Sequence, residues 1–382
     1  MKVIKIKLKT LSPVHIGSGE SFTPDSFVID QESKALLHFN PILFYEKINP
    51  KQWEELKKIS EMKSISALVA LYRFYNRNLD KIKAFSHKAY PVPQELVETY
   101  QRVLSLKSEK DIYQSFNNME INRTCVEFHS NQPFIPGSSV KGSLRTGYLE
   151  KLLKEKFSKE KDIHTLVDKY MKKPLDFEAY ILNILNEKEK LKLENDPFRF
   201  FKISDLRPEN EVSTKILYQV NLKKTTFKRA RGVSLPIEVI PEGSIFYGEI
   251  KIDTPADPQN YPTFDLNKLL KGVKDHYREV LKEELELCKK YSLKNPVLYI
   301  QQFELTAYKN DKALLIKIGK HSGAEAVTLE GIRKIKIKTG KNSWQIASQP
   351  TTFWVASKKK KDVNGAQHFG WVYLEFLDIH EL

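Results

Sequence analysis

Gly137, Ser138, Ser139, Lys141, Gly142 and Arg145 stand close together immediately after Pro136, and their chemistry is that of an anion site. Pro136-Gly137 breaks the extended run before it, and Ser138 and Ser139 can cap a new helix through their hydroxyls. Val140, Leu144 and Tyr148 recur every four residues, and Leu149, Leu152 and Leu153 continue the apolar face, so the spacing predicts a helix over about 138–157. Its first turns combine unpaired amides, two hydroxyls and two cations, a combination that suits a phosphate. Gly142 and Gly147 each cost such a helix about 1 kcal/mol but let a backbone or a ligand come close. An ordinary capped helix with two solvated basic side chains uses the same residues, and the segment alone leaves both readings open.

Three further segments carry groups of this kind. Pro13-Val14-His15-Ile16-Gly17-Ser18-Gly19 follows a strand pattern directly. It is neither a P-loop nor Gly-x-Gly-x-x-Gly, but its glycines would turn backbone amides toward a ligand beside His15 and Ser18. Lys223, Lys224, Phe227, Lys228, Arg229 and Arg231 form a basic run with one aromatic inside it. There charge can track a phosphate backbone while a ring stacks on a base; a solvated loop is the alternative. Gly319-Lys320-His321-Ser322-Gly323 follows another strand pattern, where Lys320 and His321 can meet phosphate or simply form a turn.

Catalytic patterns are sparse. No Ser–His–Asp set follows from spacing, and Glu54-Glu55 and Glu283-Glu284 read as solvated helix faces. A metal-free ribonuclease needs only a base and an acid around a phosphate, so His15 with Lys141 is a conceivable pair. Cys125 and Cys288 are the two cysteines, far apart and without Cys-x-x-Cys, and the nine histidines show no His-x-x-x-His pairing. Neither a structural metal, a disulfide framework nor a cofactor is expected.

The elements that must position these groups read as α+β. The chain of 382 residues carries 63 Lys and Arg against 48 Asp and Glu, a formal net charge of +15, which favours a polyanion as partner. No apolar run approaches the roughly 18 residues of a membrane span. The start alternates charge with apolar groups and is no signal peptide, so a cytoplasmic protein without membrane contact is expected. Strands are expected at 3–11, 27–30 with 35–39 as a hairpin, 122–129, 215–220, 313–318 and 371–376. Pro241-Glu242-Gly243 between two further strand patterns signals a hairpin. Residues 41–120 show helical spacing and read as a mostly helical insertion, and a charged helical stretch runs to about 195. Asp265 can cap a long helix whose Leu269, Val273, Tyr277 and Val280 share a core stripe. Residues 357–361 read as a mobile basic loop. Two α+β units with antiparallel sheets are expected, at 1–199 with the insertion and at 200–382.

The three loops and their order, at 13–19, 135–145 and the C-terminal glycine loop with Gly370-Trp371-Val372, resemble the RAMP superfamily of CRISPR–Cas systems. Lys202-Ile203-Ser204-Asp205 and Leu235-Pro236-Ile237-Glu238 support the likeness. Within that superfamily the chain looks most like the Csm-type (type III-A) effector subunit that caps the complex at the 3′ portion of the CRISPR RNA. The resemblance implies two RNA-recognition-like (ferredoxin-like) units. It also implies CRISPR RNA and target RNA as partners, stacking on the repeated backbone subunit, contact with the small helical subunit, and a host trimming nuclease. It implies a non-catalytic subunit needed for maturation of the guide's 3′ end and for antiviral interference. The backbone subunits cleave with an aspartate near the position of Asp25, but Pro24 precedes it here and cleavage is not carried over. On this likeness Lys141 and Arg145 would hold guide phosphates, with Gly137, Ser138 and Ser139 donating hydrogen bonds and His15 and Ser18 in the same groove. A repeat-RNA endoribonuclease using His15, and a protein scaffold with an incidental basic surface, are the alternatives.

Overall fold

Ile4, Ile6 and Leu8 alternate with lysines, and this period of two makes the first strand, with Ile4, Ile6, Leu8 and Thr10 buried. A computed structural model describes residues 1–116, 119–157, 174–184, 195–230, 232–255, 257, 264–340 and 343–381. The chain opens with β1 (Lys2–Thr10), β2 (Gly17–Phe22), β3 (Phe27–Asp30) and β4 (Ala35–Phe39). Then come α1 (Pro41–Tyr45), α2 (Pro50–Glu61), α3 (Ser66–Arg77), α4 (Leu79–Phe85), β5 (Ser86–Pro91), α5 (Gln94–Ser105) and α6 (Glu109–Phe116). β6 (Ile121–Thr124), α7 (Gly137–Phe157) and α8 (Pro174–Leu182) close the first half. The second half holds β7 (Phe201–Ile203), β8 (Arg207–Pro208), β9 (Lys215–Lys223), β10 (Pro236–Val239), β11 (Ile245–Ile252) and α9 (Leu266–Tyr291). It ends with α10 (Gln302–Lys309), β12 (Ala313–Lys317), α11 (Ala324–Val327), β13 (Ile335–Lys338), β14 (Trp344–Ala347), β15 (Thr352–Ser357), β16 (Gln367–His368) and β17 (Trp371–Glu381).

One α+β unit brings the two ends of the chain together with elements from its middle. Its sheet runs β12-β17-β1-β11-β7, with β8 also on β11, and all its pairings are antiparallel. Taken as β1–α7–β7–β11–α9–β17, this is the βαββαβ order, with β12 added at one edge. α7 and α9 share one core with this sheet: Val140, Leu144, Leu149, Val273 and Tyr277 bury together with Ile4, Ile6 and Leu8. The two helices cross closely. A Cβ on Gly147 would lie 2.6 Å from the Val273 Cα, which explains a glycine that intrinsic propensity disfavours.

The second sheet runs β16-β15-β9-β10-β6-β2. It departs from the expected antiparallel unit, because β10 meets β6 in parallel at Ile237 and Asn122. The expected boundary at 199/200 also fails to separate the sheets. β1 lies between β11 and β17, while β2 and β6 complete a sheet otherwise drawn from the second half. Long-range pairing, invisible to local patterns, decides this. The insertion is helical as expected, apart from β5, which joins β3 and β4 in a small sheet. It packs on the second sheet: Tyr72, Tyr100 and Val103 share a core with Tyr218, Val220 and Val355. The charged helical stretch expected up to about 195 falls partly outside the described residues.

Three local expectations change. Pro241-Glu242-Gly243 does not close a hairpin, since β10 pairs with β9 and β11 pairs with β1. The turn instead carries the chain from one sheet to the other, held by Gly243 N donating to Thr10 O at 2.7 Å and Thr10 Oγ1 to Pro241 O at 2.6 Å. The strand expected over 122–129 stops at Thr124, and residues 126–133 form a tight loop closed by the Val126–Pro133 bridge. The 357–361 loop is docked on the insertion through Lys360 N to Glu95 Oε2 at 2.8 Å, with the Lys360 ammonium 4.8 Å from the Tyr218 ring centroid. Asp265 does cap α9, accepting from Lys268 N at 2.9 Å. No helix among the described residues is long and apolar enough to cross a membrane.

Glu150 on α7 ties the crossing to α9. Its Oε2 lies 2.6 Å from His276 Nδ1, and its Oε1 accepts from Lys154 at 2.7 Å. Burial alone would raise its pKa, but the His276 and Lys154 bonds and the Glu330 amide outweigh it and bring the carboxyl down to about 2. A depressed carboxyl stabilises the fold above its ordinary pKa and loses that contribution as pH falls toward its folded value. Glu150 therefore contributes on the order of 3 kcal/mol at neutral pH that disappears between about pH 5 and pH 2. Denaturant melts across that window should show Glu150→Gln losing less stability on acidification than the parent chain; parallel curves would contradict this.

Candidate nucleic-acid interface

The residues from Ser12 to Gly19 leave the end of β1, and two later glycine turns close against them. Lys320 N donates to His15 O at 2.8 Å, Gly370 N to Pro13 O at 3.0 Å, and Ile318 N to Gly370 O at 2.9 Å. Gly319 and Gly370 adopt φ of +81° and +89°, and a Cβ on either would lie 2.5 Å from a neighbouring carbonyl oxygen. Ser143 on α7 reaches the same junction, its hydroxyl donating to Lys317 O at 2.6 Å. The structure thus brings together the loops at 13–19 and 319–323, the Gly370 turn and the start of α7.

Within this junction the histidines are interior groups. His15 is buried, with Nδ1 2.7 Å from Glu238 O, and no surface is left on Nε2. Burial chiefly lowers its pKa, and the Lys320 charge adds to that. His321 bonds Gln219 through Nε2 and lies 4.4 Å from the Trp354 ring, and burial, with Lys320 and His15 nearby, pushes its pKa down to about 3. His15 and Lys141, the conceivable acid–base pair, are bound to different carbonyls. Gly17, Ser18, Gly19 and Lys320 are exposed. The Ser18 hydroxyl donates to Arg123 O at 3.3 Å and accepts from Glu20 N at 3.2 Å.

At the start of α7 the anion position is filled by the protein itself. Gly137 N donates to Asp205 Oδ1 at 2.9 Å, and Ser139 N to Pro136 O at 3.0 Å. Lys141 Nζ donates to Phe198 O at 2.7 Å, and burial lowers its pKa. Arg145 bridges Glu178 at 3.2 Å and Asp196 at 2.9 Å, with its guanidinium 5.0 Å from the Phe198 ring centroid. These two cations clamp the 196–198 segment onto α7, Arg145 through ion pairs and Lys141 through a backbone carbonyl. Ser138 and Gly142 are exposed beside them.

The basic run divides between interior and surface. β9 ends in a turn over 223–228, closed by Phe227 N to Lys223 O and Lys223 N to Lys228 O, each at 2.9 Å. Phe227 stacks on Tyr291 at 4.2 Å and 4°, so one face of its ring is already covered. The Tyr291 hydroxyl donates to Lys224 O at 2.6 Å, and Lys224 pairs with Glu325 of α11. That pair ties the turn to the segment following the 319–323 loop. Lys223, Lys228 and Arg229 are exposed; Arg229 donates to Gly232 O at 2.9 Å, and Arg231 lies outside the described residues. Lys223, Lys228 and Lys320 make no ion pair among the described residues. Phe128 falls in the stretch expected as a strand over 122–129. It is 89% exposed in the 126–133 loop, where the Ser130-Asn131 turn chemistry was the available signal.

A family model for the RAMP superfamily matches residues 7–294. The chain belongs to the RAMP superfamily. The 13–19 and 135–145 loops of this RAMP protein lie within the matched region, and the C-terminal glycine loop lies beyond it. Among described relatives, the CRISPR system Cms protein Csm5 of Streptococcus thermophilus is 28% identical over 147 residues, covering 38% of this chain and 37% of that protein. The protein of the same name from Enterococcus italicus is 26% identical over 152 residues, covering 38% and 42%. The alignments thus span about two fifths of each relative's length. In fold, the RAMP chain is similar over 98% of its length to all of a chain in a Csm–crRNA–target RNA ternary complex of a type III-A CRISPR–Cas system, at TM-score 0.60 and 18% identity. It is also similar to the crystal structure of T. onnurineus Csm5, at TM-score 0.57 and 15% identity, over 96% of this chain and 99% of that one. The mixed α+β architecture with several sheets is similar to that of these two solved structures.

The clamp on α7 makes a prediction. Arg145→Ala leaves Asp196 and Glu178 without their cation and should lower unfolding free energy by roughly 1–3 kcal/mol. RNA affinity of the folded fraction should stay unchanged. A fully stable Arg145→Ala protein with weakened RNA binding would reverse this assignment.

Proposed function

We propose that this RAMP protein is a non-catalytic RNA-binding subunit of a type III-A CRISPR effector, holding the 3′ portion of the CRISPR RNA at one end of the Csm complex. The observation that carries the reading is the near full-length likeness to a chain from a complex that contains crRNA and target RNA. The partial identity to two Csm5 proteins points the same way. In this reading Lys223, Lys228, Arg229 and Lys320 meet phosphates. The exposed Gly17–Gly19 backbone and Ser18 line the same surface, and Ser138 and Gly142 lie at the neighbouring helix start. Lys141, Arg145 and Lys224 act indirectly, by fixing the elements that carry those groups.

Its partners are the CRISPR RNA, the target RNA, the repeated backbone subunit and the small helical subunit, with a host nuclease trimming the guide. Its presence is needed for 3′-end maturation and for antiviral interference. The endoribonuclease alternative requires His15 as base, and the nitrogen that would take the proton has no exposed surface.

Replacing Lys223, Lys228 and Lys320 together by alanine tests the binding surface. Three lost phosphate contacts should flatten the dependence of log affinity on log salt by about 2. Affinity of the full chain for guide-length RNA at physiological salt should fall at least ten-fold, with the melting temperature unchanged. Unaltered affinity and slope would refute phosphate contact there. Repeat RNA incubated with the protein in EDTA should stay intact; cleavage that His15→Ala abolishes would establish the enzymatic alternative.

A further inference from the structure

Among the described residues β13 and β14 pair only with each other, so they form a two-stranded hairpin apart from both large sheets. Thr339 and Ser343 close its turn, Thr339 N donating to Ser343 O at 3.0 Å. The register sets Lys336 opposite Ile346 and Lys338 opposite Trp344. Directly opposed residues of an antiparallel pair share a face, so these four side chains stand on one side. All four are exposed, Trp344 at 60% and Ile346 at 56%, whereas on the other side Ile335, Ile337 and Ala347 are half-buried and Gln345 is exposed. The hairpin thus leans on the protein with one face and turns a tryptophan, an isoleucine and two lysines outward. Lys338 Nζ stands 5.7 Å from the Trp344 ring centroid.

Charge selects the occupant. From residue 335 to 347 the chain has three lysines and no aspartate or glutamate. A neutral protein surface would leave that charge uncompensated, while a nucleic acid satisfies both halves of the face. Lys336 and Lys338 lie one strand repeat apart, about 6.7 Å, and present their charges in line. The indole beside them offers a stacking platform that accepts any base, provided the base is unpaired.

We propose that the outer face of the β13–β14 hairpin is a second RNA contact, which takes a single-stranded segment by stacking a base on Trp344 and pairing its phosphates with Lys336 and Lys338. It rests on the RNA-binding reading above but uses none of the residues of the loop junction.

The test is binding of a fluorescein-labelled oligouridylate to the full chain, titrated with salt. Trp344→Ala should weaken binding about ten-fold, and Trp344→Phe should restore most of it. Lys336→Ala/Lys338→Ala should flatten the salt slope by about 1.4. The melting temperature of each variant should match the parent, since these side chains face outward. If both variants keep the parent's affinity and slope while the Lys223/Lys228/Lys320 variant is weakened, the hairpin contact is refuted and the RNA-binding reading stands. If the parent chain binds no RNA, alone or in its complex, both fall. If the hairpin variants keep RNA but no longer assemble with their partner subunits, the face is a protein contact and the proposal is overturned.

Discussion

The bond from the Lys320 amide to the His15 carbonyl is the constraint on which the candidate interface depends. It forms only because Gly319 can adopt a left-handed backbone where a Cβ would meet that carbonyl. Gly370 repeats the arrangement one turn away, against Ile318. Three stretches remote in sequence are thereby locked edge to edge at the end of β1, and the chain's two termini become neighbours in one sheet. The polar groups sort themselves accordingly. His15 and His321 turn inward, are desolvated and resist protonation, while Lys320 between them turns out.

A formal charge of +15 says little until the cations are divided by location. Lys317 is buried against Glu284 at 2.5 Å, and the Trp371 indole donates to the other oxygen of that carboxylate at 2.6 Å. Arg145, Lys141 and Lys224 are likewise satisfied within the fold. Cations of this kind hold elements in register, and removing one partner of an ion pair such as Lys317–Glu284 leaves an uncompensated charge. Exposed cations on the 223–229 turn, at Lys320 and on the β13–β14 hairpin remain open to a polyanion.

Periodic elements were legible from sequence. β1, the β3–β4 hairpin, α7 and α9 follow from apolar spacing and caps, because each is decided by residues a few positions apart. The glycine loops were legible as loops for the same reason. Partners distant in sequence were not legible. Nothing near Lys141 announces the Phe198 carbonyl, and nothing near Gly137 announces Asp205. Phe227 reads as an aromatic available for stacking until Tyr291, dozens of residues later, covers it. The Pro241–Gly243 turn has hairpin chemistry, yet Thr10 decides that it turns a corner between sheets. The division into consecutive domains failed on the same ground, since β1 belongs to a sheet whose other strands all come from the second half. The β13–β14 hairpin did carry a readable signal, the Ile-Lys-Ile-Lys alternation before Thr339-Gly340, that sequence reasoning passed over.

The central claim is that RNA meets the exposed cations around the glycine-loop junction and not the clamped pair on α7. Ultraviolet cross-linking of RNA to the protein in its native complex, with the attached peptides mapped by mass spectrometry, measures this directly. Cross-links on 223–229 and 318–321, with none at 138–145, are the predicted result. Cross-links concentrated on 138–145 with the two loops unlabelled would contradict it.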